Sequence, residues 1–592
     1  MPRRYLDALT AVPSTLAYGL RTRLKAGYSV ADFRADLMAG LVVGVVALPL
    51  SMALAIASGV APQYGLYTAI VAGVVCALLG GTCCQVTGPT AAFVVVLAPI
   101  VGKFGLGGLL IAGALAGLLL IGMGAAKLGR LIQYIPHPVT TGFTAGIAIV
   151  LATLQLKDFL GLQLVRAPES YLDRWQVMWQ SRASLSVWEI AVGVLTLVLL
   201  AVLPRLIKRI PAPLLALVLA GVAAAVAARY VPGFHVATIG SRFHSVVGGR
   251  EVAGIPPLPP LPLLPWRMGG AGGQPLHLDF ATVQALLSAA FAIAMLGAIE
   301  SLLAAVVSDG MAGTKHDPNS ELLALGLGNL LCPFFGGIAA TGALARTATN
   351  IRAGARSPIA STLHALFVLA CTVALAPLVG YLPMAALAAL LLMVARNMAE
   401  ARHFLHILRV APRSDAIVLI TCFSLTVLFD MVLAVSVGVV LAALLFMRRM
   451  AELTHTRLDA GTMAKLDLPA GVRLYEVAGP LFFGAAERAM GVIDVVPTGR
   501  EPQAIILYLG QVPAIDATGL VALESVLARL KKSGHKVILA GLNPQPAQVI
   551  ARAGLTPERG RFAIAPDLDS ALSLAILHVA RPGAEVSGRA TA

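Results

Sequence analysis

The residues that could carry chemistry in this sequence are one arginine and one glutamate inside apolar stretches. Arg346 lies in GGIAATGALARTATN, residues 336–350, and Glu300 lies in LGAIESLLAAV, residues 296–306. A guanidinium at membrane depth costs at least about 2.5 kcal/mol on insertion scales and usually marks a substrate or ion path. Burial penalises the charged form of a carboxyl group, which suits a residue that gains and loses a proton during transport. These residue types predict anion binding at Arg346 and proton coupling at Glu300.

Both residues also have a purely structural interpretation. Arg346 could neutralise a buried carboxylate, and Glu300 is the obvious partner because it is the only acidic residue well inside its own apolar span. The two interpretations are compatible, since the pair could be bridged in one state and separated by substrate in another. Proton coupling is the favoured role for Glu300.

Arg346 follows a Thr-Gly step that has a counterpart far upstream. Residues 80–93 read GGTCCQVTGPTAAF, and both stretches run from Gly-Gly through Thr-Gly to small residues that open a helix. Two weakly similar interruptions in two halves of a membrane chain indicate a transporter binding site. Helix N-termini expose unpaired N–H groups and partial positive charge, so two that meet head-on would form an anion cradle. The alternative is an ordinary packing kink, and the duplication favours the site.

The elements that must position these residues are membrane spans. The chain has 592 residues, of which 58% are hydrophobic and 12% charged, a composition that excludes an ordinary soluble protein. The sequence predicts fourteen apolar segments in two sets of seven, several of them too short to cross a bilayer alone. The segments lie at about 37–58, 66–80, 88–102, 106–125, 138–155, 187–203 and 212–228, and at about 282–307, 321–335, 343–351, 358–378, 383–395, 415–431 and 433–447.

The formal net charge of +15 is assigned to loops at a membrane surface and not to a nucleic-acid interface. With fourteen segments, the arginine- and lysine-rich loops all fall on the same side as the basic N-terminus. The positive-inside rule therefore predicts that both termini are cytoplasmic and that the protein is a multi-pass protein of the cell inner membrane. The cysteines and histidines show no metal or haem spacing, so no cofactor and no metal is expected.

The sequence predicts five parts. These are a cytoplasmic N-terminal segment (1–35), a first membrane repeat (36–228), an extracytoplasmic connector (229–281), a second membrane repeat (282–450) and a soluble α/β domain (462–580). The connector contains IPPLPPLPLLP at 255–265, which is interpreted as a stiff spacer in preference to a ligand for a proline-recognising domain.

The soluble domain alternates strands with helices and carries one motif of interest. Residues 470–478, 503–509 and 535–540 are predicted strands, and residues 517–533 and 545–553 are predicted helices. Asp516 and Thr518 follow a strand and open a helix, so this regulatory loop could bind an anion or be phosphorylated on Thr518. A short turn with a helix N-cap explains the same residues, and the motif alone is weak.

Several longer runs resemble one family, the sulfate permease (SulP) anion transporters. The resemblance covers roughly residues 30–580. It rests on runs at 47–69 (ALPLSMALAIASGVAPQYGLYTA), 135–146 (IPHPVTTGFTAG), 296–337 and 425–449, together with TGPTAAF. It is most specific for bacterial members that carry C4-dicarboxylates.

The resemblance implies a polytopic α-helical membrane protein of about 14 segments in two inverted seven-segment repeats, split into core and gate domains, with a cytoplasmic STAS domain and a homodimeric assembly. It places substrate between the third and tenth segments, lined by the first and eighth, and it places Glu300 at the coupling position. The implied substrate-binding residues are Pro49, Leu50, Ser51, Leu54, Gly88, Pro89, Thr90, Ala91, Ala343, Leu344, Ala345, Arg346 and Thr347.

The predicted function is therefore secondary active, proton-coupled uptake of C4-dicarboxylates such as succinate, fumarate or aspartate by alternating access, with the lipid bilayer, protons and a small anion as partners. Leu50 and Ala345 stand where many animal relatives of the family carry glutamine and serine, which argues against an inorganic anion. Sulfate or bicarbonate transport is the first alternative. The second is a membrane-anchored sensor or scaffold in which a cytoplasmic protein partner binds the STAS domain.

Overall fold

The computed structural model describes most of the chain. The described residues are 16–132, 135–166, 168, 170–207, 211–247, 250–270, 276, 279–429, 431–453, 455–458, 468–469, 471–491, 493 and 503–580. The chain separates into two compact units, Met1–Val439 and Val440–Ala592.

The first half of the membrane unit consists of helices joined by short turns, with one two-residue strand. The elements are α1 (Tyr18–Lys25), α2 (Val30–Ala57), α3 (Pro62–Leu79), β1 (Thr87–Gly88), α4 (Ala91–Ala125), α5 (Gly129–Ile132), α6 (His137–Leu160), α7 (Tyr171–Gln180), α8 (Val187–Leu206) and α9 (Ala212–Tyr230). Helix α4 is bent at Gly105, where φ is 67°. This bend corresponds to the predicted gap between the third and fourth apolar segments.

The connector between the halves holds a short helix, α10 (Ile239–Arg242), and a hairpin of β2 (His244–Val247) and β3 (Arg250–Ala253). The proline-rich run that follows has no helix or strand before Pro265. It is anchored to the helices, because Tyr67 donates a hydrogen bond to the Leu258 carbonyl at 3.3 Å and the Leu263 amide donates to the Phe334 carbonyl at 2.7 Å.

The second half repeats the pattern of the first. Its elements are α11 (Phe280–Ala312), α12 (Pro318–Leu331), β4 (Thr341–Gly342), α13 (Leu344–Arg352), α14 (Pro358–Val379), α15 (Met384–Ala399), α16 (Ala401–Val410), α17 (Arg413–Leu428) and α18 (Met431–Leu453). In the described part of the chain, 10 helical stretches are long and apolar enough to span a membrane. With α4 counted as two at its bend, and with the shorter α12, α13 and α17 included, each half supplies seven segments. The predicted fold class is confirmed.

Reciprocal packing explains why two halves form one core. Helices α2 and α3 of the first half pack against α14, and α11 and α12 of the second half pack against α4. The close contact of α4 with α12 depends on glycine: a Cβ on Gly117 would lie 2.7 Å from the Gly326 carbonyl oxygen. Strands β1 and β4 pair antiparallel, with Thr87 opposite Gly342 and Gly88 opposite Thr341. The two Thr-Gly steps therefore pair as equivalents across an inverted relationship.

A second group of helices packs mainly on itself. Helix α6 contacts α15 and α17, and α8 contacts α15 and α9. Gly142 lies against α17, since a Cβ there would stand 2.7 Å from the Leu419 carbonyl oxygen. The membrane unit thus consists of two groups. The core group surrounds the two interruptions, called here the first break (residues 87–90) and the second break (residues 341–343), and the gate group surrounds α6 and α15.

The C-terminal unit contains a five-stranded sheet in the order β5 (His455–Leu458), β6 (Val472–Ala478), β7 (Ala504–Gln511), β8 (Lys536–Ala540) and β9 (Phe562–Ala565). Strand β5 is antiparallel to β6, and the other neighbours are parallel. Four helices accompany the sheet: α19 (Phe483–Gly491), α20 (Ala517–Lys532), α21 (Pro544–Arg552) and α22 (Leu568–Val579). Apolar clusters on both faces of the sheet are typical of parallel strands connected by helices.

Candidate functional site

The two interrupted segments meet at the centre of the core group. The Ala343 amide donates a hydrogen bond to the Val86 carbonyl at 2.8 Å, and the Val86 amide donates to Thr347 Oγ1 at 3.0 Å. These bonds flank the β1–β4 pair, and because that pair is antiparallel the helices α4 and α13 follow its opposite ends. Thr90 and Ala343 are the N-cap residues of the two helices, and neither provides a side-chain cap. Neither N-cap side chain therefore occupies the first amides of its helix, which is the position where helix N-termini bind anions.

Arg346 is buried between the two breaks. It is the third residue of α13 and is 2% exposed. Its Nη2 donates to the Pro89 carbonyl, and its buried Nη1 has no hydrogen-bond partner among the described residues. A Cβ on Gly88 would lie 2.7 Å from Nη1, so the guanidinium fits only because residue 88 is glycine. A buried N–H group with no partner is costly, and an anion would satisfy it.

Glu300 lies on α11 and is bonded to the first break. Thr90 Oγ1 donates to Glu300 Oε2 at 2.8 Å. Among the described residues no ion pair joins Glu300 to Arg346. The direct pairing that the sequence left open as a structural interpretation is absent from this conformation, because each side chain is bonded to the first break.

A cavity of about 310 Å³ contains both residues. Ten predicted residues line it: Leu50, Leu54, Pro89, Thr90, Ala91, Glu300, Ala343, Leu344, Ala345 and Arg346. Four predicted residues do not line it: Pro49, Ser51, Gly88 and Thr347. Gly88 and Thr347 instead hold the break together, as the close approach of Gly88 to Arg346 and the bond from Val86 to Thr347 show. Pro49 and Ser51 are buried inside α2.

The cavity also has a wall that the sequence reasoning missed. Its residues come from the gate group, and they are Phe143 and Thr144 on α6, Val394, Asn397 and Met398 on α15, and Glu400 after it. Ala92, Leu303 and Gly342 complete the lining on the core side. The TTGFTAG run that contains Phe143 was visible in the sequence, but nothing in its spacing relates it to the two breaks.

The loop at Asp516 and Thr518, which the sequence predicts to be regulatory, has the geometry of a helix N-cap. The Asp516 side chain accepts a hydrogen bond from the Gly519 amide at 2.7 Å, and Asp516 is the N-cap of α20. Thr518 is exposed in the first turn of that helix. A Cβ on Gly519 would lie 2.2 Å from the Leu481 carbonyl oxygen, so this turn packs tightly on the preceding loop.

Comparison with known proteins agrees with this architecture. The sulfate permease family profile matches residues 33–422, and the STAS domain profile matches residues 464–571. YvdB of Bacillus subtilis, named as a candidate sulfate transporter, is 39% identical over 537 residues, which cover 90% of this chain and 96% of YvdB. The bicarbonate transporter BicA of Picosynechococcus is 30% identical over 516 residues, covering 82% of this chain and 84% of BicA.

Solved structures show the same fold. Murine Slc26a9, an anion transporter in an inward-facing state, aligns with a TM-score of 0.81 at 18% identity, covering 98% of this chain and 95% of that chain. The transmembrane domain of cyanobacterial BicA aligns with a TM-score of 0.57 at 26% identity, covering 70% of this chain and 98% of that domain. The chain therefore belongs to the sulfate permease family of anion transporters and carries a C-terminal STAS domain.

Proposed function

We propose that the protein takes up C4-dicarboxylates together with protons by alternating access. The observation that carries this proposal is the buried guanidinium of Arg346. This residue lines a cavity where two helices begin, and its Nη1 has no hydrogen-bond partner in the described part of the chain. One fixed positive charge and two sets of free amides make a site for one anionic group.

The rest of the lining favours an organic anion. Leu50, Leu54, Phe143, Leu303 and Leu344 give the cavity a largely apolar wall. Such a wall suits a carbon chain better than a strongly hydrated inorganic ion, because it offers few hydrogen bonds to replace lost water. The sequence resemblance to dicarboxylate-carrying bacterial members supports the same choice. Sulfate or bicarbonate is the second candidate, because the relative YvdB is described as a candidate sulfate transporter and the relative BicA as a bicarbonate transporter.

Glu300 supplies the proton coupling in this proposal. It lines the cavity that holds Arg346, without forming an ion pair with it. A substrate carboxylate at Arg346 and an ionised Glu300 would repel each other in a medium of low polarity. Protonation of Glu300 removes that repulsion, so substrate and proton would bind together and leave together.

The cavity also suggests how access alternates. One wall comes from the core group and the other from α6 and α15 of the gate group. Movement of one group against the other would open and close the site. We propose that the basic loops and both termini lie in the cytoplasm and that the protein is a homodimer in the cell inner membrane. We further propose that the loop at Asp516 and Thr518 binds a cytoplasmic partner or carries a phosphate.

Uptake by purified protein in liposomes tests the proposal. Radiolabelled succinate, sulfate and bicarbonate are offered with and without an inward proton gradient. We expect uphill succinate uptake that requires the gradient. Glu300→Gln should abolish gradient-driven accumulation while exchange of succinate across the membrane continues, and the exposed carboxylate variant Glu251→Gln should behave as wild type.

The outcomes separate the alternatives. Uptake of sulfate or bicarbonate without uptake of succinate would contradict the dicarboxylate assignment but would leave the assignment of the anion site unchanged. Normal accumulation by Glu300→Gln would remove this residue from the coupling mechanism. No flux of any of the three anions, together with a protein bound to the STAS domain, would favour the scaffold alternative.

A further inference from the structure

A buried carboxylate on α12, Glu321, organises the loop that leads into the first break. It lies in the first turn of α12 and is 2% exposed. Its Oε2 accepts hydrogen bonds from the Gly81 amide at 3.0 Å and from Thr82 Oγ1 at 2.7 Å. Its Oε1 accepts from Gln85 Nε2 at 2.9 Å and from Ser301 Oγ at 3.3 Å. Four donors for two oxygens satisfy an ionised carboxylate within the protein.

The loop approaches α12 too closely for any residue other than glycine at position 81. A Cβ on Gly81 would lie 2.1 Å from the Asp317 carbonyl oxygen, just before α12 begins. The loop is also held from the opposite side, where Asn350 Nδ2 donates to the Cys84 carbonyl at 2.9 Å and Ser361 Oγ donates to the Gln85 carbonyl at 2.6 Å. The loop is thus fixed to α12, α13 and α14 before it enters β1.

Gln85 connects this loop to the second break. Its Nε2 donates to Ser301 Oγ at 2.7 Å, and Ser301 is the neighbour of Glu300 on α11. A Cβ on Gly342 would lie 2.3 Å from the same Nε2, so the amide of Gln85 packs directly on β4. Glu321, Gln85 and Gly342 therefore form a continuous contact from α12 to the second break.

We propose that Glu321 is a positioning residue that acts through Gln85 to hold the two breaks in register and thereby sets the distance between Arg346 and Glu300. Neither Glu321 nor Gln85 lines the cavity, so neither contacts substrate. This inference deepens the proposed anion site and rests on it for its effect on uptake. Its effect on the β1–β4 pair does not depend on transport.

The decisive variant is Gln85→Glu. It replaces the amide donor with a second carboxylate facing Glu321, and two like charges in a buried contact repel. We expect the register of the breaks to loosen and the KM for the transported anion to rise about tenfold, as for the loss of a hydrogen bond to a charged group. Glu321→Gln should have a smaller effect, because the Gln85 amide can flip and present Oε1, which has no partner in the described structure.

A swap of the two side chains provides the matched control. In the double variant Gln85→Glu with Glu321→Gln, residue 321 can still accept from Gly81 and Thr82, and its amide can donate to the new carboxylate at 85. The network then keeps one negative charge and all its donors are used. The swap should restore KM to within about twofold of wild type, whereas independent effects of the two substitutions would add.

Hydrogen exchange measures the register directly. The amides of Val86 and Ala343 flank the β1–β4 pair, and both are hydrogen-bonded in the structure. We expect Gln85→Glu to speed their exchange at least about tenfold and the swap to return it to the wild-type rate.

Two results would overturn the inference: unchanged exchange and unchanged KM in Gln85→Glu, or a swap no better than the single variant. If Gln85→Glu does not yield folded protein, Ser301→Ala removes a single donor and must still speed exchange at Ala343. Absence of anion uptake by the wild-type protein would contradict the proposed function alone, since the exchange measurement remains interpretable.

Discussion

The two breaks share one backbone arrangement, but the first offers oxygen atoms and the second leads into the helix that carries a cation. Each is a Thr-Gly pair before a helix, and the two pairs are matched in one antiparallel ladder. The first break opens a helix of 35 residues and offers the Pro89 carbonyl and the Thr90 hydroxyl. The second opens a helix of 9 residues and supplies Arg346. One break therefore holds the cation in place, and the other carries it.

This difference shows how a duplicated scaffold can become an asymmetric site. Both glycines are required, but for different neighbours. Gly88 leaves room for the Arg346 guanidinium, and Gly342 leaves room for the Gln85 amide. The backbone symmetry aligns the two helix starts, while the side chains decide which start bears the charge and which faces the coupling carboxylate.

Removal of the cation should have the largest effect. Arg346→Ala is expected to lower anion uptake at least about 100-fold, because the site loses a buried positive charge and the Pro89 carbonyl loses its donor. Liposome uptake at subsaturating substrate measures this. Arg352→Ala, on the exposed face of the same helix, is the control and should transport normally. Normal uptake by Arg346→Ala would show that the second break does not carry the anion.

Gly88→Ala should have the next largest effect. The new methyl group would lie 2.7 Å from Arg346 Nη1 and would force the guanidinium to move. We expect a rise in KM of about tenfold with little loss of folded protein, because the displaced group is the flexible end of a side chain. The measurement determines KM and the maximal uptake rate separately for the purified variant. An unchanged KM would mean that the position of Nη1 is unimportant for binding.

Gly342→Ala is the counterpart in the second break. Its methyl group would lie 2.3 Å from Gln85 Nε2 and 3.0 Å from Ser301 Cα. Since Ser301 Cα cannot move as a side chain does, we expect a stability loss of about 1–3 kcal/mol and only about a threefold change in KM. Thermal unfolding in detergent alongside uptake distinguishes the two glycines. Equal KM effects in both variants would contradict the division of roles between the breaks.

Thr90→Val should have the smallest effect. It removes the hydroxyl that donates to Glu300 at 2.8 Å but keeps the shape of the side chain. We expect about a threefold loss of proton-driven accumulation and no change in counterflow exchange, because one hydrogen bond to a carboxyl group is lost. Accumulation against a succinate gradient is the readout. A loss as large as that of Arg346→Ala would assign Thr90 to the substrate and not to Glu300.

Much of this arrangement was readable from the chain. The apolar runs fixed the number of segments, since stretches of about 20 apolar residues have few alternatives to membrane spans. Arg346 and Glu300 were identifiable because charge inside such runs is costly. The repeated Thr-Gly steps indicate paired breaks from local sequence alone. In the soluble domain, strand and helix alternation located β6, β7, β8, α20 and α21.

Other features depended on contacts between residues distant in sequence. The gate wall from α6 and α15 has no local signature, because apolar residues on these helices look the same whether they face lipid, protein or a cavity. Glu321 stood at the edge of an apolar segment, and its four donors come from residues on α11 and on a loop far upstream. The absence of an ion pair between Arg346 and Glu300 in the described structure was equally unreadable.

The sequence by itself determined which groups are costly to bury, how many apolar segments the membrane unit contains and where two of them are interrupted. These follow from composition and local spacing, because the bilayer restricts every residue in the same way wherever its neighbours lie. Only the tertiary structure decided that the two breaks pair, that Gly88 admits the guanidinium, and that Glu300 bonds to Thr90. These depend on distances of a few ångströms between segments separated by hundreds of residues, which packing alone sets.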